Sequence, residues 1–240
     1  MAINKVLEKP REELLKSRFT RQLVLLVLLD VKNAFNSACW GSITQTLHEM
    51  KIPPYLRNII ASYLSDREVT CEGRKYEMTA GVPQGWILGP TLWNIMYNDL
   101  LELELPGDTE LVGFADDLAL VVRDREETAL ERKANISLKD IDRWLTSRKL
   151  QLAPAKSEAI VITKRVKLQE IQIHIKGQPI EIKKTVKYLG VPLDQRLKFT
   201  NHIHSIQITT RERTEIIQRI FEIEGKNCLC YHSVRQCTSE

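Results

Sequence analysis

Two adjacent aspartates, Asp116 and Asp117, interrupt the otherwise apolar run Leu111 to Val122, LVGFADDLALVV. Asp is common in turns because its side chain hydrogen-bonds the local backbone, so one aspartate at a hairpin tip needs no further cause. Two are different. Like charges on a tight turn repel, and apolar strands on both sides lower the local dielectric, so the pair is easiest to accommodate when a cation neutralises it. A third acid strengthens the case. Leu23 to Leu29, LVLLVLL, is an unbroken apolar run ending at Asp30, the pattern of a strand buried on both faces with a carboxylate at its exit. If that strand lies beside the hairpin, three carboxylates meet at one sheet edge. Hard oxygen ligands on an open edge suit Mg²⁺, which keeps waters and takes its remaining ligands from substrate phosphates. Two such ions roughly 3.5–4 Å apart would clamp the attacking and leaving oxygens of an in-line phosphoryl transfer.

The elements that must position these acids follow from periodicity. Leu111, Val112 and Phe114 predict one strand, Leu118 and Leu120 to Val122 a second, with both aspartates at the turn between them. Phe35 falls five residues after Asp30, where the chain turns back over the strand end; it reads equally as a core anchor or as the wall of a substrate pocket. Gly81 to Pro90, GVPQGWILGP, carries three glycines at four-residue spacing and one strongly polar side chain, Gln84, so its backbone can approach a ligand closely. Pro90 fits the first position of a helix whose buried face is Leu92, Ile95, Met96 and Leu100. Lys156 stands in the turn before the strand Ala159 to Ile162, where a lysine is ordinarily just solvated.

The remaining segments carry no chemistry. Val6 to Arg18 predicts a charged, weakly amphipathic helix. Ile43, Leu47 and Met50 predict one helix face, and Leu56, Ile59, Ile60, Tyr63 and Leu64 another, with Pro53 and Pro54 between them. A short hairpin is expected around Gly73, and core packing accounts for all of these. Asp124 and Glu127 read as a capping pair opening a long helix with the apolar stripe Leu130, Ala134, Leu138, Ile141 and Leu145. Ile171, Ile173 and Ile175 alternate as a strand, Lys187 to Asp194 closes a second small β unit, and Asn201 to Phe221 predicts a helix. Cys228, Cys230, His232 and Cys237 have unsuitable spacing for zinc, so no metal is expected there.

Composition sets bounds. At 240 residues and 43% hydrophobic content the chain can bury an ordinary core. The net charge of +4 is modest, but residues 164 to 187 hold seven Lys or Arg against two Glu, and residues 1 to 21 six against three. Such stripes suit phosphate-backbone contact, although a solvated basic surface is the commoner cause. The longest apolar run is far short of the roughly 20 residues that span a membrane, and residues 1 to 17 show no apolar signal core. Five cysteines, with no C-x-x-C pair, predict a reduced, intracellular protein, in the nucleus, the cytoplasm or both.

Taken together, the chain resembles the reverse transcriptase domain of non-LTR (LINE-type) retrotransposons, the R1-like type in particular, from about Leu23 to about Phe199. LLDVKNAFNS looks like motif A of that family, GVPQGWILGPTLWNIMYNDL like motif B and GFADDLALVV like motif C; KLQLAPAKSEAIVI looks like motif D and KYLGVPLD like motif E. The resemblance implies an α+β fold, the palm of a right-hand polymerase, with an antiparallel sheet backed by helices, partial fingers and the start of a thumb. It divides the chain into a helical lead-in (1–22), the palm (23–195) and a partial thumb with a tail (196–240). It implies two Mg²⁺ ions, or Mn²⁺ in their place, on Asp30, Asp116 and the Val31 carbonyl, with Asp117 in support. Ala34, Phe35, Gln84 and Gly85 would bind the nucleotide, Phe35 as the steric gate against a ribose 2′-OH. Lys156 would protonate pyrophosphate, and Tyr188, Leu189 and Gly190 would grip the primer. The implied partners are an RNA template, a DNA primer and deoxynucleoside triphosphates, with no membrane.

Two departures are visible: Asn36 stands where the family usually has Asp, and Trp86 where these elements usually have Ser. With only 22 residues before motif A, the resemblance is to a fragment lacking most of the fingers. A catalytically inactive palm remnant that binds nucleic acid through its basic stripes is therefore the alternative. A phosphoacceptor receiver domain also gathers acids and a lysine at strand ends, but in the opposite order and on parallel βα alternation. An RNA-dependent RNA polymerase would share the acidic hairpin, yet bulky Phe35 opposes admission of the 2′-OH.

Overall fold

The computed structural model describes residues 2–82, 85 and 87–199. By contact, residues 1–197 form one unit and Lys198–Glu240 a second, of which only Lys198 and Phe199 are described. The helix expected over Asn201 to Phe221 and the cysteine-containing tail lie outside the described residues.

Helix α1 (Ala2–Leu15) leads into strand β1 (Leu23–Asp30), followed by a 3₁₀ turn at Phe35–Ser37, helices α2 (Trp40–Glu49) and α3 (Pro54–Leu64), and the hairpin β2 (Glu68–Cys71) and β3 (Arg74–Glu77). Helix α4 (Leu88–Leu101), the hairpin β4 (Thr109–Phe114) and β5 (Asp117–Asp124), helix α5 (Glu127–Ser147) and strand β6 (Glu158–Ile162) complete the central layer pair. Two short hairpins close the unit, β7 (Ile173–Ile175) with β8 (Gln178–Ile180) and β9 (Thr185–Tyr188) with β10 (Val191–Asp194).

The sheet is antiparallel in the order β4-β5-β1-β6, so β1 is central. Its all-apolar sequence follows from that place, because a strand covered on both faces has no polar side. Leu23, Leu25, Val27 and Leu29 join Trp93, Met96, Leu138 and Ile141 in the main core under α4 and α5. Alternate residues point the other way; Val24 and Leu26 are buried on the opposite face, where α1 packs on β1 and β4. The α5 stripe is buried as its spacing predicts.

Five expectations are corrected. Of the face predicted for helix α3, Leu64 is buried and Ile60 and Tyr63 pack half-buried on the core, but Leu56 and Ile59 stay exposed, and the β2–β3 hairpin is exposed along its whole length. Amphipathic spacing shows which face is apolar, not whether the fold supplies a partner: α3 packs on α2, and among the described residues β2 and β3 pair only with each other. Asp124 and Glu127 do not cap α5. Asp124 ends β5 and accepts from the Arg125 and Glu126 backbone N–H groups while Lys133 approaches its other oxygen at 2.7 Å. Pro90 is the third residue of α4, where its missing N–H is still one that lacks an intrahelical acceptor. The single β unit expected after Ile171 is two separate hairpins.

Glu13 of α1 is a carboxylate buried to 1% exposure. It accepts the Gln22 N–H at 2.8 Å and the Lys16 ammonium at 2.5 Å, with the Arg123 guanidinium 3.7 Å away. It therefore fixes the residue that enters β1. Glu13→Ala strands a buried donor and a half-buried cation, and we expect a loss of about 2–4 kcal/mol in chemical denaturation. Lys16→Ala, at a half-exposed partner, should lose under about 1 kcal/mol.

Candidate functional site

Strand pairing sets the geometry. Asp30, the last residue of β1, sits directly opposite Asp117, the first residue of β5. Phe114 pairs with Asp117, so the hairpin turn is Ala115 and Asp116 alone, and Asp117 belongs to the strand and not to the turn. Ala115 adopts a left-handed conformation, φ +54, which two-residue hairpin turns require. The three carboxylates thus meet at one sheet edge, as their spacing predicts.

The chain crosses that edge again beyond α5. Val31 forms an antiparallel bridge with Leu152; Lys32 N–H donates to the Gln151 carbonyl and Ala153 N–H to the Asp30 carbonyl, both at 2.8 Å. In a bridge of this kind the flanking residues exchange the hydrogen bonds. The Val31 carbonyl therefore faces the β5 side, toward Asp116 and Asp117. The crossing also delivers Lys156, whose Nζ lies 3.6 Å from Asp30 Oδ2. Asp30 Oδ2 is shielded from solvent and accepts no hydrogen bond among the described residues.

Electrostatics agree. Partial burial, then the charges of Asp116 and Asp30, hold the Asp117 carboxyl above its ordinary range, although much of the side chain remains open to solvent. Burial and the Asp117 charge push the Tyr188 hydroxyl up to about 12, and burial followed by Asp116 and Asp117 raises Tyr97 as well. Both hydroxyls are buried without a hydrogen-bond partner among the described residues. An oxygen-only donor set with an orphaned carboxylate oxygen and mutual repulsion fits a hard divalent cation. The carboxylates lie along an edge and not around a point: among the described residues no three His, Cys, Asp or Glu form a ready cage. Water and phosphate oxygens would have to complete the shell.

Tyr188 and Leu189 line one groove with Asp30, Asp117 and Lys156, a cavity of about 270 Å³. They reach it because Leu189 and Gly190, at φ +47 and +83, make a two-residue turn between β9 and β10. On the other side of the acidic turn, half-buried Phe35 lines a cavity with Pro90, Tyr97, Phe114 and Ala115, its ring 5.2 Å from that of Trp93. Ala34 is buried. The Gly81 loop is fixed by the Trp40 indole, which donates to the Gly81 carbonyl at 2.8 Å, and by the Val82 N–H on the Phe35 carbonyl. Gly81 has φ +99, and an added Cβ would meet the Asn36 carbonyl at 3.0 Å. Gly85 has φ +85 in open space, while Gln84 and Trp86 lie outside the described residues.

Sequence reasoning missed the tryptophan donors. Trp93 and Tyr97, four residues apart, share the buried face of α4 with Leu100, a helical spacing that was available to be read. The basic stripe is weaker than its composition: Arg165, Lys176 and Lys183 face Glu127, Asp142 and Glu158, and Lys164 donates to the Leu14 carbonyl. Lys167, Lys184 and Lys187 stay exposed. No helix among the described residues is long and apolar enough to cross a membrane.

The family model described as "Reverse transcriptase (RNA-dependent DNA polymerase)" matches residues 5–193. Relatives in Drosophila melanogaster include a probable RNA-directed DNA polymerase from transposon X-element, 25% identical over 91% of this chain and 24% of the relative. The RNA-directed DNA polymerase from mobile element jockey is 25% identical over 90% and 24%. A putative 115 kDa protein in the type-1 retrotransposable element R1DM is 26% identical over 78% and 18%. The chain therefore spans a quarter or less of these relatives' length. Among solved structures, an apo telomerase from Candida tropicalis superposes with a TM-score of 0.57 at 14% identity, covering 82% of this chain and 38% of that one. That likeness shows the fold, a right-hand polymerase.

The raised Asp117 carboxyl has a sign that can be tested. A carboxyl raised in the folded state destabilises the fold at every pH above its folded pKa, and the penalty vanishes below the unfolded value. Asp117→Asn should therefore raise the melting temperature at pH 7 without divalent cations. The gain should fade as pH falls through the carboxylate range; a pH-independent gain would point to another cause.

Proposed function

The chain belongs to the reverse transcriptase (RNA-dependent DNA polymerase) family, and from that premise we propose that it is the RNA-directed DNA polymerase domain of a non-LTR retrotransposon. Its substrates are deoxynucleoside triphosphates, a DNA primer and an RNA template. The observation that carries this reading is the meeting of Asp30, Asp116 and Asp117 at one sheet edge, with Lys156 beside Asp30 and Tyr188 in the adjoining groove.

In the transfer a primer 3′-hydroxyl gives its proton to solvent water, its oxygen bonds to the α-phosphorus, the bond from that phosphorus to the bridging oxygen of pyrophosphate breaks, and pyrophosphate leaves. Asp30, Asp116 and the Val31 carbonyl would hold two Mg²⁺ ions, or Mn²⁺, with Asp117 steadying the pair. The bound ions supply neutralisation of charge on the attacking and departing oxygens. The protein supplies position. Phe35 packs against the sugar at C2′ and leaves no room for a hydroxyl, while Ala34, Gln84 and Gly85 shape the rest of the nucleotide pocket. Lys156 donates a proton to the departing pyrophosphate. Tyr188, Leu189 and Gly190 seat the primer end from across the groove. The competing reading, an inactive palm that only binds nucleic acid, draws on the lack of a ready metal cage among the described residues.

Asp116→Asn keeps shape and loses charge, so Mg²⁺-dependent single-nucleotide incorporation should fall about 10³-fold or more with the circular dichroism spectrum intact. Equal incorporation by mutant and parent would sink the ligand assignment; a parent that binds primer-template yet never extends it would favour the inactive palm. Phe35→Val should raise ribonucleotide use relative to deoxyribonucleotide about 10- to 100-fold. An unchanged ratio in an active mutant would leave Phe35 as a core anchor only.

A further inference from the structure

Trp93 has no part in the chemistry above, yet its indole touches both the acidic turn and Phe35. It is fully buried in α4. Its Nε1–H donates to the Ala115 carbonyl at 2.9 Å. Ala115 is the left-handed residue, φ +54, immediately before Asp116. A non-glycine residue in that region is uncommon and persists when its surroundings hold it. The same indole lies 5.2 Å from the Phe35 ring and stacks on Tyr97 at 4.9 Å. Filling the core requires the volume of a large ring, but it does not require an N–H aimed at the turn.

We propose that Trp93 is a positioning residue whose N–H holds the Ala115–Asp116 turn, and so the Asp116 carboxylate, in register with Asp30, while its ring supports Phe35. The kinetic part rests on the polymerase reading; the mechanical part does not. Losing one such hydrogen bond beside a solvent-exposed turn should make local opening about fivefold more frequent, since the carbonyl can turn to water. Transfer then slows because in-line chemistry depends on alignment. Sugar selection should not change as long as a ring still backs Phe35.

The test uses the full 240-residue chain with 3-benzothienylalanine installed at position 93, which preserves the bicyclic ring and removes the donor, beside Trp93→Phe. Hydrogen exchange is followed at residues 113–118 and at β1, and single-turnover incorporation is followed with deoxy- and ribonucleotides. We expect exchange at the turn to rise about fivefold with β1 unchanged. The rate constant should fall about five- to tenfold, with parental burst amplitude, nucleotide affinity and sugar preference. A purely structural role would lower the amplitude or loosen β1 together with the turn, and would overturn the proposal. Parental exchange at the turn in both variants would overturn it as well. If Asp116→Asn leaves incorporation untouched, or the parent incorporates nothing, the polymerase reading fails, and the exchange comparison alone still decides whether Trp93 holds the turn.

Discussion

Two carboxylates directly opposite one another on neighbouring strands oppose folding, since like charges in cross-strand pairs are destabilising. Asp30 and Asp117 occupy such a pair, and much of the molecule serves to keep them there. The strand that carries Asp30 is apolar for its entire preceding length and covered on both faces, so its burial outweighs repulsion at one end. Both faces of β1 are apolar, so it is the close fit of its side chains on each face that a one-residue slip would spoil. The register, and with it the convergence of the acids, is therefore enforced from the hydrophobic interior.

The surroundings of the acids are graded. One cation, Lys156, approaches Asp30 from a crossing that is itself hydrogen-bonded to the end of β1. Two tyrosine hydroxyls lie buried nearby with their own ionisation suppressed, so they stay neutral beside the carboxylates. Backbone around the site is held by indole donors on the Gly81 and Ala115 carbonyls, which add rigidity without adding charge. Among the described residues the cluster is therefore left under-neutralised, a state that favours binding of anything bringing positive charge.

Much of this was legible in the residues. Seven apolar positions in a row before Asp30 admit little but a buried strand, and the alternation around Asp116 and Asp117 fixes the hairpin to within one residue. The resemblance was needed for Lys156 and for Tyr188 to Gly190, because nothing in their own neighbourhood shows that two later segments fold back onto the strand end. Trp93 was passed over because an aromatic on a helix face is explained by packing, and the direction of an indole N–H is a property of three dimensions. The partial exposure of α3 was illegible for a related reason: Leu56 and Ile59 belong to the same apolar face as Ile60, Tyr63 and Leu64, and only the fold decides how much of it is covered. Counting basic residues also could not show that Arg165, Lys176 and Lys183 face carboxylates far along the chain.

The central place of β1 also has a consequence for how the chain reaches this structure. Its two neighbours in the sheet, β5 and β6, arrive about 90 and 130 residues later, so both closures are long-range and slow to be rewarded. The β4–β5 hairpin is local and can form early; the partner it needs already exists in the chain but cannot be fixed until α5 and β6 are made. During synthesis the segment LVLLVLL therefore waits unpaired, with the composition of an aggregation-prone strand and no charge or proline within it. The strand best suited to present a carboxylate is thus also the segment for which the growing chain most depends on protection before its sheet is complete.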